Sequence, residues 1–106
     1  LSCECDDALH KLLLETYNTD KSWYFERIIE ERKKELNYSY VNSEKNSLLN
    51  LALYNNDIDL SNKLIDIIED KMVFTKLNNN GENSIIIANK MNMSHQVRKI
   101  KNKIEN

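Results

Sequence analysis

Apolar residues recur along this chain at the three- and four-residue spacing of helices, broken by short polar runs. From Asp7, a candidate N-cap, Leu9, Leu12, Leu13 and Tyr17 recur at helical spacing. Residues 18–21 read as a loop. Ser22 is placed to cap a second helix reaching about Leu36, with Phe25, Ile28 and Ile29 turned inward and Tyr24 beside them. Its other face carries Glu26, Arg27, Glu30, Glu31, Lys33 and Lys34, charges that suit water. Residues 37–45 are polar, hold two tyrosines, and read as a loop or short extended finger. Asn46 or Ser47 then caps a helix from Leu48 to about Tyr54, and residues 55–57 make a turn. A fourth helix opens at Ile58 or Asp59 and carries Leu60, Leu64, Ile65 and Ile68. After a mixed stretch at 72–77, Asn78-Asn79-Asn80-Gly81 is the strongest turn signal in the chain. A fifth helix is expected at about 85–90, and a sixth carries Val97, Ile100 and Ile104. The pattern predicts one all-α domain over residues 1–106, in which a short helix, a turn, a longer helix and a linker recur.

Composition sharpens this. There is no Pro and one Gly, whereas sandwiches and barrels lean on both for their tight turns. Hydrophobic residues at 41% and charged residues at 30% favour folding over disorder. A net charge of -2 gives no field that would draw the chain to nucleic acid, and the basic end at Arg98, Lys99, Lys101 and Lys103 lacks interleaved aromatics. No apolar run approaches the ~20 residues needed to span a bilayer, so membrane insertion is not expected. Cys3 and Cys5 are too close in sequence to staple the fold. Oligomeric state stays open. Location stays open as well, a cytoplasmic one being favoured over a secreted or surface one.

Ser47-Leu48-Leu49-Asn50-Leu51-Ala52 and Asn83-Ser84-Ile85-Ile86-Ile87-Ala88 share one pattern, and their alanines lie 36 positions apart (88 minus 52). Leu64 and Ile68 align in the same way with Ile100 and Ile104. An earlier, less regular copy places Leu9-His10 and Leu12 in the same slot. With Gly81 standing two before Asn83, the chain resembles a degenerate ankyrin-repeat domain of about three repeats, at 7–40, 41–77 and 78–106. It departs from that family in lacking the signature proline and in carrying Asn56 and Asn92 where the turn glycine belongs. The resemblance implies a short solenoid of helix-turn-helix pairs; the same periods also fit an irregular helical bundle.

Candidate chemistry is sparse. His10 and His95 are far apart and have no Cys or acidic ligand at zinc-like spacing; His10 is expected as the hydrogen-bonding His of an ankyrin-like turn, and His95 as a loop or first-turn residue. The faint calcium-loop pattern from Asn55 to Asp66 has Leu60 where glycine is required. No glycine-rich phosphate loop or nucleophile elbow occurs, so neither enzyme nor cofactor is expected. The resemblance implies a non-catalytic module that binds another protein through its finger loops and inner helices. Candidate contacts are Trp23, Tyr38, Tyr40, Asn42, Tyr54, Asn55, Asn79 and Asn80. The alternative is a structural or assembly domain, self-associating or docking within a longer chain.

Overall fold

The computed structural model describes residues 2–32 and 36–105, with side chains from Leu9 onward. Among the described residues seven helices follow in order: α1 (Ser2–Thr16), α2 (Ser22–Arg32), α3 (Leu48–Tyr54), α4 (Ile58–Ile67), α5 (Met72–Thr75), α6 (Ser84–Lys90) and α7 (Ser94–Glu105). A 3₁₀ turn, Thr19–Lys21, joins α1 to α2. No strand forms among the described residues, so the molecule is all-α.

Helix α3 packs on α4, and α6 on α7; α3 also meets α6, α4 meets α7, and α1 and α2 meet α3 and α4. One continuous core runs from Leu13 to Ile100. Ala52 and Ala88 are fully buried, which lets neighbouring helices approach closely. Leu60, Leu64, Ile65, Ile87 and Ile100 are sealed as well. Each such aliphatic side chain brings about 1.5–3 kcal/mol of transfer free energy. The radius of gyration, 12.7 Å, is that of a folded chain of this length, about 13 Å.

The two downstream pairs repeat at 36 residues in their backbone hydrogen bonds. Asn42 N donates to Asn46 O at 3.0 Å and Asn78 N to Glu82 O at 2.9 Å. Asp57 N reaches Ala52 O at 2.9 Å, and Met93 N reaches Ala88 O at 2.8 Å. Ser47 and Asn83 cap α3 and α6 through their side-chain oxygens. Asn56 and Asn92 stand at φ 56° and 61°, the left-handed region that Asn enters more readily than other non-glycine residues. An Asn at each of these turns therefore suits the backbone it must adopt.

The first pair is built differently. Helix α1 begins at Ser2 and not at Asp7, and its inward stripe is His10, Leu13, Leu14 and Tyr17. Leu12, expected inside, is 55% exposed, because that i, i+3, i+4, i+7 stripe puts it on the opposite face. Ser22 does not cap α2. It is already helical, and its hydroxyl donates to Asp57 Oδ1 at 2.8 Å, while Asn18 caps the 3₁₀ turn. Tyr24 is exposed and Phe25 alone of the two aromatics is core. The described helix ends at Arg32, and Leu36 is buried outside it. The expected wet positions Lys33 and Lys34, and the side chains of Cys3, Cys5 and Asp7, lie outside the described residues.

Asp57 ties the first pair to the second. It caps α4 and accepts from both Tyr17 Oη and Ser22 Oγ, at 2.8 Å each. Burial and the adjacent Asp57 carboxylate push the Tyr17 phenol above its ordinary range, so it remains a donor.

Candidate functional site

Residues 37–45, expected as a loop or short extended finger, form a loop. Asn42 Oδ1 accepts from the N–H groups of Glu44 and Asn46, at 2.9 and 3.0 Å, which folds the loop back on itself. Asn78 Oδ1 does the same for Asn80 and Glu82, at 2.9 and 3.0 Å. The two loops are then joined: Asn79 N donates to Glu44 O at 3.0 Å, and Asn79 Nδ2 to Ser43 O at 3.3 Å. Beneath them runs a buried polar chain. Asn46 Oδ1 accepts from Asn78 Nδ2 at 2.7 Å and from Asn50 Nδ2 at 3.3 Å, and Asn50 Oδ1 accepts from Ser84 Oγ at 2.8 Å. Satisfied networks of this kind fix one arrangement, since breaking any member strands a buried polar group.

Tyr54 joins this assembly from α3. Its hydroxyl donates to the Glu82 carboxylate and accepts from Asn78 Nδ2 at 2.9 Å. Lys90 Nζ reaches the same carboxylate from α6 at 3.3 Å. Tyr54 and Lys90 occupy equivalent helix positions, so two neighbouring helices converge on one acid. The Tyr54 hydrogen bond, with Lys90 beside it, holds the Glu82 carboxyl below its usual value; burial, then Glu82, pushes the Tyr54 phenol up.

Tyr38 and Tyr40 do not alternate in and out. Both are half-buried and turn toward His10, with ring centroids 5.6 and 6.3 Å away, the first edge-on at 89°. Burial raises the Tyr38 phenol above its ordinary range. His10 itself is fully buried in the middle of α1, on its core stripe, and not in a turn as expected. His95 is exposed in the first turn of α7.

Two of the grooves beside the first loop share Val41. One, of about 250 Å³, is lined by Tyr40, Val41, Asn42 and Ser43 against Lys11, Leu14 and Glu15 of α1. The other, of about 150 Å³, lies between that loop and α5 and is lined by Val41, Met72 and Val73 with Lys45, Asp70 and Lys76. Met72 is 71% exposed there.

Of the eight sequence candidates, Tyr38, Tyr40, Asn42, Tyr54, Asn79 and Asn80 thus fall in one connected region. Asn55 is set apart at the C-cap of α3, its side chain donating to Leu51 O at 2.8 Å. Trp23 stands in the first turn of α2, edge-on to Tyr24 at 5.8 Å. Sequence reasoning missed Asn46, Asn78, Glu82 and Lys90. The signal lay in the 36-residue offset, which already relates Asn42 to Asn78 and Tyr54 to Lys90 when carried past the alanines.

Among the described residues no three His, Cys, Asp or Glu side chains gather in a group that could hold a metal ion. No helix among them is long and apolar enough to cross a membrane. The chain matches no family model, no curated protein and no solved structure.

Proposed function

We propose that the chain is a short solenoid of about three ankyrin-like helix pairs, with repeats near 7–40, 41–77 and 78–106, that binds another protein without catalysis. Support for the repeat comes from the 36-residue recurrence of loop, cap, left-handed Asn and helix pair. The observation that carries the binding role is the rigid double loop beside an open groove. Asn42 and Asn78 lock both loops from within, and Tyr40 and Asn42 still line about 250 Å³ of open space against α1. A surface already ordered loses little conformational entropy on binding, and Tyr contributes large amphipathic contact area. The partner on this reading is a protein segment with a side chain for the groove and a basic group for Glu15.

Affinity capture from a proteome, compared between the unaltered chain and two groove variants, tests this. Glu15→Lys changes an exposed residue and leaves the fold intact; Tyr40→Ala removes one wall. We expect a defined protein retained by the unaltered chain and by Lys101→Glu, far away on α7, and lost from both groove variants with melting curves showing each folded. An identical retained set for all four chains, or none for any, overturns the assignment.

A further inference from the structure

The second helix of each pair, α2, α4 and α7, carries a basic residue at one register, Arg27, Lys63 and Lys99, each 36 positions after the last. Lys63 pairs with Glu30 on α2 at 3.3 Å, and Lys99 pairs with Asp66 on α4 at 2.7 Å. Glu30 and Asp66 are themselves 36 positions apart. Each interface therefore uses the same device, an acid on the earlier helix and a base on the later one. Arg27 is the earliest base in this series. It is 73% exposed and turns to Glu31 within its own helix, at 3.4 Å. Exposed pairs of that kind contribute little.

The neighbouring register agrees. Leu60 in α4 is fully buried, and its counterpart in α7, Gln96, is buried and donates to Asn62 at 3.0 Å. The same register on α2 is Tyr24, 49% exposed, next to Trp23 at 66%. The far edge is different. There the buried Ile65 and Leu53 are replaced by exposed Lys101 and Asn89, which makes that edge wet. One edge is thus closed by polar residues, and the other keeps two exposed aromatics beside a basic residue in interface register.

From this we propose that Trp23, Tyr24 and Arg27 form a docking edge for a helix of a partner protein. That helix carries an aspartate or glutamate in the register of Glu30 and Asp66, above an apolar stripe. A second copy of the chain does not supply it. The free edge of α7 has Asn102 where the carboxylate is required, and adds Arg98 and Lys101. The edge is separate from the groove at Tyr40 and does not depend on it.

Trp23 is the single tryptophan, so its emission reports directly on the edge. The probe is a side-chain-stapled peptide of residues 57–70, the chain's own α4, which presents Asp66 in that register. Titrated into the full chain, it should shift Trp23 emission to the blue and saturate. Reversing one charge, Asp66→Lys in the peptide or Arg27→Glu in the chain, should weaken binding about tenfold. Combining the two reversals should restore it. Arg27 is exposed, so its variant folds, and a melting curve confirms this. Emission unmoved up to about 1 mM peptide, or equal affinity in all four combinations, overturns the proposal. So does a dimer, seen by sedimentation without peptide, whose formation shifts Trp23.

Discussion

Asn42 and Asn78 hold the same place in two copies of one loop and carry different loads. Each accepts hydrogen bonds from two backbone N–H groups further along its loop. Asn78 also donates from its amide to Asn46 at 2.7 Å and to Tyr54 at 2.9 Å, both across to the preceding pair. The oxygen of the side chain therefore folds the loop, and the nitrogen joins one helix pair to the next. One residue type serves local structure in the first copy, and local structure plus packing in the second. The pairs are alike where the backbone needs the same turn and differ where the neighbours differ.

Truncating these two residues is the sharpest way to break the comparison. Asn42→Ala removes one oxygen that accepts two hydrogen bonds in a half-buried loop and should cost about 1–2 kcal/mol. Asn78→Ala removes the same and also leaves Asn46 and Tyr54 short of a donor under the loops, for about 3 kcal/mol or more. Asn78→Asp keeps the oxygen but sets a carboxylate oxygen against Asn46 Oδ1 in a buried site, and should cost at least as much as Asn78→Ala. Urea midpoints measure all three. Equal losses at 42 and 78 would mean that the bonds between pairs add nothing.

A smaller effect is expected three residues on, where the copies differ in the residue itself. Lys45 has φ 63° and Gly81 has φ 73°. A side chain in this region costs about 1 kcal/mol, and glycine avoids that. Lys45→Gly should therefore stabilise the first loop by up to about 1 kcal/mol. A Cβ at Gly81 would meet nothing within 4 Å, so Gly81→Ala should cost a similar amount through backbone strain alone. Thermal melts read both changes. A loss on Lys45→Gly would show that the Lys45 side chain makes a contribution larger than its strain.

How far the sequence foretold this depends on the region. Helices α3, α4, α6 and α7 were legible because an apolar stripe between polar breaks marks each; α3 runs from Leu48 to Tyr54 as expected, with Ser47 as its cap. The first pair was harder. His10 belongs to the inward stripe of α1, and a search by apolar residues alone skips it and settles on Leu12. Ser22 looked like a cap because a serine before an apolar run usually is one, whereas its partner is Asp57, 35 residues away. The candidate face was legible in outline, since Asn, Tyr and Gly mark the loops. Its wiring was not, because Glu82 and Asn46 acquire their roles from bonds across the pairs that no local pattern encodes.

Glu82 offers the finest test of how the pairs meet. Tyr54 and Lys90, one position in two helices, both bind its carboxylate, and together they hold that group below its ordinary value near 4.5. A folded value under the unfolded one means that the ionised form is favoured by folding. The stabilisation is then complete at neutral pH and fades as the pH falls below about 4.5 toward the lower folded value. Glu82→Gln removes that titration and keeps an oxygen for the Tyr54 hydroxyl. Melting temperatures from pH 6 down to about 3 should fall less steeply for the variant than for the unaltered chain. Tyr54→Phe removes the larger of the two influences, so it should flatten the curve more than Lys90→Met does. If the three curves run parallel to that of the unaltered chain, Glu82 is held no differently in the folded state than in the unfolded one, and the convergence of the two helices on it has no energetic consequence.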